Sequence, residues 1–125
     1  MSIALAMLAA VAVAPVSADF DGDGLADRAS LREADAGYEI VVERGAGGTA
    51  VVHAVRDPLY LYLGVVEPGT YPTWCGKIMA RRPDRPCDEP SVSLAGPTLE
   101  FGQEEASQAV AIWDGGRFRV VWLSD

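Results

Sequence analysis

The chain has 125 residues, with 18 acidic side chains against 10 Lys and Arg, a formal net charge of −8. Every charge lies beyond residue 18; the remainder has the apolar content of a globular domain, which excludes a disordered chain and suits one domain of about 100 residues rather than two. An acidic surface repels phosphate backbones and anionic lipid, so nucleic acid and membrane surfaces are poor partners.

Met1 to Ala14 is a nearly continuous run of Ala, Leu, Val, Met and Ile. It is short for a bilayer span, which takes about 20 apolar residues. Followed by Pro15 and Val16-Ser17-Ala18, it reads as a secretory signal peptide over residues 1–18, although no Lys or Arg precedes the apolar run. Cleavage after Ala18 leaves a domain of residues 19–125, and cleavage after Ala14 is the alternative. The expected location is periplasmic or secreted, with no membrane span after signal removal.

Asp19-Phe20-Asp21-Gly22-Asp23-Gly24-Leu25-Ala26-Asp27 follows. Carboxylates occupy positions 1, 3, 5 and 9, and position 7, Leu25, offers its backbone carbonyl. Gly22 and Gly24 let the chain curl, so the alternate carboxylates converge. Calcium takes six to eight oxygens in flexible geometry, whereas magnesium demands a stricter octahedron and keeps its waters, so calcium is the expected cofactor. Ser30 stands where an EF-hand needs a bidentate Glu. The stretch Ala18 to Asp27 instead resembles the calcium loop of FG-GAP, or VCBS-type, repeats. That resemblance covers about a quarter of the chain. It implies calcium held by Asp19, Asp21, Asp23 and Asp27 and the Leu25 carbonyl, followed by strands at Arg28 to Arg32 and Tyr38 to Glu43. No second copy of the loop is present, so what transfers is the ion site and not a propeller.

The rest alternates apolar and polar residues between turns, with no amphipathic helix of ten residues. Expected strands are Tyr38 to Glu43, Ala50 to Val55, Leu59 to Leu63, Ser91 to Leu94, Thr98 to Phe101, Gln108 to Trp113 and Arg117 to Leu123. Glu67-Pro68-Gly69-Thr70 reads as a turn. Ser91 to Leu94 is expected to pair with Thr98 to Phe101, and Asp114-Gly115-Gly116 to join the last two strands as a hairpin. The fold class is all-β: a small antiparallel sandwich or barrel of about seven strands with one long stapled loop.

That loop is residues 72–90, which hold four prolines, both cysteines and four basic side chains. Cys75 and Cys87, an isolated pair in an exported chain, are expected to form a disulfide. Closing a loop of about 13 residues contributes roughly 3 kcal/mol. Lys77, Arg81, Arg82 and Arg85 are candidate partner-binding residues, since arginine forks pair bidentately with carboxylates.

Catalytic patterns are weak, and no enzymatic activity is expected. His53 is the sole histidine, placed by alternation with Val51 and Val55. Glu104 and Glu105 are adjacent and point apart in a strand. Ser107 lacks a nucleophile setting, and Trp74, Trp113 and Trp122 suit packing. The leading reading is an exported, calcium-binding, non-catalytic interaction domain whose partner is another protein or a cell-envelope component. Its rivals are an envelope inhibitor or immunity-type protein blocking a lysozyme-like hydrolase, and a small hydrolase or carbohydrate-binding module.

Overall fold

A computed structural model describes residues 13–125. The greater part of the expected signal peptide, residues 1–12, lies outside them. Among the described residues ten strands and one helix follow in order: β1 Val16–Ala18, β2 Asp27–Ala34, β3 Gly37–Glu43, β4 Thr49–Val55, β5 Leu61–Val66, β6 Gly69–Pro72, α1 Trp74–Arg81, β7 Ser91–Leu94, β8 Thr98–Gln103, β9 Gln108–Trp113 and β10 Phe118–Ser124. All pairings are antiparallel, in sheets ordered β1-β2-β3-β4 and β10-β9-β8-β5 with a separate ribbon β6-β7. The all-β class and the disulfide are as expected; the strand count is ten rather than about seven.

Alternation builds the first interior. Ala29, Ile40, Val42 and Val52 on one sheet face Leu99, Phe101, Ala109, Ala111 and Phe118 on the other. β9 is an inner strand of its sheet and is buried on both faces, which is why Ala109 to Ile112 is an unbroken apolar run. Its second face, with Val121 and Leu123 of β10, is covered by Val92 and Leu94 of the ribbon. The molecule therefore has three layers. The sheet edges meet where β4 approaches β10 and β1 approaches β5.

Four expectations are corrected. Ser91 to Leu94 pairs with β6, not with Thr98 to Phe101; β8 lies between β5 and β9. The ribbon needs Val92 and Leu94 over the second apolar face, and a local hairpin would have left that face open. Gly69 and Thr70, expected in a turn, begin β6. The strand expected from Leu59 starts at Leu61, because Tyr60 has φ 64°, outside the strand region. Residues 72–90 contain a helix. Thr73 caps it, its Oγ1 accepting the Gly76 amide at 3.0 Å and donating to the Glu89 carbonyl at 2.6 Å. Cys75 and Cys87 are bonded, with 5.7 Å between their Cα atoms. A Cβ on Gly76 would collide with the Pro90 carbonyl, so glycine is required where the returning chain crosses the helix.

Two local features bear on function. Val16–Ala18, assigned to the signal segment, pairs with Asp27–Ala29 as a strand of the first sheet. In β4 the register steps between Ile40↔His53 and Val41↔Val51, leaving Val52 as a β-bulge. The bulge breaks alternation: Val51 is 48 % exposed, Val52 is buried, and His53 turns inward. The expected grouping of His53 with Val51 is therefore incorrect.

Candidate functional site

The acidic loop joins β1 to β2 and is anchored at both ends. Phe20 is buried in the core between the sheets. Asp27 opens β2 and is 2 % exposed. A carboxylate so deeply buried must satisfy its oxygens, and backbone amides do this. Oδ2 accepts the amides of Phe20 at 2.7 Å and Asp21 at 3.2 Å, and Oδ1 accepts that of Gly45 at 2.8 Å. Asp27 thus ties the loop to the β3–β4 turn. A Cβ on Gly45 would collide with the Ala26 carbonyl, so that turn presses directly on the loop.

Asp19 gives the loop its curl. Its Oδ1 accepts the amides of Gly22 at 2.9 Å and Asp23 at 3.2 Å, and its Oδ2 that of Gly24 at 2.9 Å. Gly22 and Gly24 have φ of 74° and 90°, values that side chains disfavour. The result brings carboxylate oxygens of Asp19, Asp21 and Asp27 within 4.8 Å of one another. Asp23 stands outside this set. The Asp23 Oδ1 accepts the Leu25 amide at 2.9 Å, and Leu25 is 50 % exposed.

Arg44, which the sequence reading passed over, balances part of this charge. Its Nε donates to Asp21 Oδ2 at 2.8 Å, and its guanidinium lies 4.4 Å from the Trp113 ring centroid. Burial pushes the Asp21 carboxyl up, but bonds to Arg44, Asp23 and Asp19 outweigh it and hold the group below its ordinary 3.8. The stabilisation from this pair is complete above that value and is lost as pH falls through the lower folded-state value. Asp23 is displaced the other way. The Leu25 amide favours its charged form, but some loss of hydration, the side-chain hydrogen bond with Asp21 and the like charges of Asp21 and Asp19 prevail and raise it.

The donor set is all oxygen, which fits a hard cation. Three carboxylates less one guanidinium leave two negative charges, the complement of a divalent ion. Asp19 Oδ1 and Asp27 Oδ2 each accept two amides, but Asp19 Oδ2, Asp27 Oδ1 and both Asp21 oxygens accept one donor each and keep a second lone pair, so the cradle orients the carboxylates without exhausting them.

The other expected residues fall elsewhere. Lys77 Nζ donates to the Leu123 carbonyl at 2.7 Å and so ties α1 to β10. Arg82 lies 3.8 Å from Asp84, an exposed pair. Arg81 and Arg85 are exposed and have no ion-pair partner among the described residues. Glu89 accepts from both Arg119 terminal nitrogens, at 2.7 and 3.1 Å, and this partner holds its carboxyl below the ordinary range. Glu104 and Glu105 lie on an exposed turn. Trp113 packs on Phe118, and Trp74 and Trp122 are each 38 % exposed. No helix among the described residues is long and apolar enough to cross a membrane. A scan against protein-family models, a search of curated proteins and a search of solved structures found no match for this chain.

Proposed function

We propose that the chain is an exported, calcium-binding, non-catalytic β-domain that acts by binding a partner. The observation carrying the ion is the convergence of Asp19, Asp21 and Asp27 on a loop pinned to the core by Phe20. Calcium there joins the β1–β2 loop to the sheet and is structural. The disulfide supports an oxidising, periplasmic or secreted setting. Calorimetric titration with calcium should show one binding site per chain. Asp21→Asn should weaken it by about tenfold or more, since losing one charged ligand costs on the order of 1.4 kcal/mol. A flat titration would refute the ion.

Export makes a second, sharper expectation. Cleavage after Ala18 would remove β1 and uncover the β2 edge, whereas cleavage after Ala14 would keep the strand whole. N-terminal sequencing of the exported protein should therefore begin at Pro15. A first residue of Asp19 would contradict the role of β1.

The envelope-inhibitor reading keeps one observation in its favour. Arg81, the last residue of α1, and Arg85, between it and Cys87, are exposed and suit an acidic cleft on a protein partner.

A further inference from the structure

A cavity of about 580 Å³ opens at the end of the sandwich remote from the acidic loop. The strand registers fix this separation: Trp113, beside Arg44, ends β9, whereas Ser107 immediately precedes its start. The size lies within the roughly 300–1,000 Å³ of small-molecule sites. Phe101, Leu61 and His53 form its base, and Trp122 and Trp74 its walls. Arg56, Asp57, Gln103 and Ser107 stand at its rim. We propose that this cavity binds a saccharide, with the pyranose C–H face stacked on the indoles of Trp74 and Trp122 and its hydroxyls bonded to the rim. The proposal rests on the reading of the chain as an interaction domain, and it names the partner's chemistry without depending on the ion.

Three independent features support a built site. First, the Val52 bulge turns His53 into the cavity, the re-aiming that bulges commonly perform beside functional sites. His53 lies 5.0 Å from the Phe101 ring and 5.9 Å from that of Trp122. It makes no side-chain hydrogen bond among the described residues, and none of their buried side-chain nitrogens or oxygens lacks a partner. Its ring nitrogens therefore open on the cavity. Second, the two non-glycine residues with positive φ among the described residues, Tyr60 at 64° and Glu105 at 61°, do not line the cavity themselves but fall in loops between lining residues, Asp57 and Leu61 in one case and Gln103 and Ser107 in the other. The Glu104 amide donates to the Tyr60 carbonyl at 2.9 Å, locking those loops together. Such conformations are strained and cluster at ligand clamps. Third, Leu59 and Tyr60, next in sequence to the lining residue Leu61, are 60 % and 66 % exposed.

The chemistry selects the occupant. A wholly apolar ligand would strip water from His53 and the rim without replacing its hydrogen bonds. An anionic aromatic ligand would satisfy Arg56 but meet Asp57 beside it. Burial disfavours the charged imidazole, so His53 presents one donor and one acceptor. A neutral ring with one apolar face and many hydroxyls meets all of these demands.

The test is titration of the full chain with cellotriose, maltotriose and triacetylchitotriose, read by tryptophan fluorescence and saturation-transfer NMR, with indole-3-acetate as the anionic comparison. At least one trisaccharide should bind with millimolar affinity or better, and Trp122→Ala should abolish binding. Trp74 lies on α1, which buries no residue, so Trp74→Ala keeps the fold and should weaken binding by about tenfold. Calcium affinity measured on the same samples reports separately on the ion. If calcium binds and no trisaccharide does, or if Trp74→Ala leaves saccharide affinity unchanged, or if indole-3-acetate binds more tightly than every sugar, the cavity is not a saccharide site.

Discussion

Replacing Asp27 by alanine should cost at least about 3 kcal/mol of folding stability, a large share of the roughly 5–15 kcal/mol that holds a domain together. The loss arises from donors and not from charge. Three backbone amides, of Phe20, Asp21 and Gly45, lose this acceptor; the Phe20 bond is buried and the other two are part-buried, and an orphaned buried donor costs about 1–3 kcal/mol. Asp27→Asn keeps one carbonyl oxygen and should cost less than Asp27→Ala. Urea midpoints of the two variants decide this. Equal losses would mean that the negative charge, and not the amide cradle, is what Asp27 supplies.

Phe20→Ala should be comparably severe, at about 3–5 kcal/mol, because a buried ring leaves a cavity as well as a transfer loss. Phe20 is 5 % exposed and is the loop's one anchor in the interior between the sheets. Removing it frees the segment that carries Asp19 and Asp21, so calcium affinity should fall with stability. Phe20→Leu preserves apolar contact and should cost less than about 1.5 kcal/mol. Denaturation curves and calcium titrations on the two variants test the coupling. A Phe20→Ala protein that is destabilised but binds calcium as tightly as the parent would separate the anchor from the ion.

The strands were legible in the sequence where period-two alternation and turn chemistry agreed. Ser91 to Leu94 and Gln108 to Trp113 match the observed strands at both ends, and Asp114-Gly115-Gly116 closes the β9–β10 hairpin as its residues demand. Pairing was less legible. Nothing local says that β7 must cross to β6, since the reason is the second apolar face of β9 and β10, a property of the assembled sheet. α1 was hidden because eight residues are too few to show helical periodicity and it begins between two prolines, Pro72 and Pro83. The bulge at Val52 left no sequence signal, so the inward turn of His53 could not be foreseen.

The acidic loop was half legible. Alternate carboxylates with intervening glycines announce convergence, and Asp19, Asp21 and Asp27 do converge. Asp23 differs because its side chain folds back onto the Leu25 amide. Arg44 lies 23 positions beyond Asp21 and comes to it only through the β3–β4 turn. Phe20 carried a usable signal: a lone aromatic between acids has no reason to be there unless it is buried.

The calcium ion is tested most directly by thermal unfolding of the same preparation in calcium and in EDTA. With calcium at 100 times its dissociation constant, mass action adds about 2.7 kcal/mol to the native state alone. For a domain of this size that is a rise in Tm on the order of 10 °C, and Asp21→Asn, binding about tenfold more weakly, should erase about half of it. Superimposable melting curves in calcium and in EDTA would contradict the account.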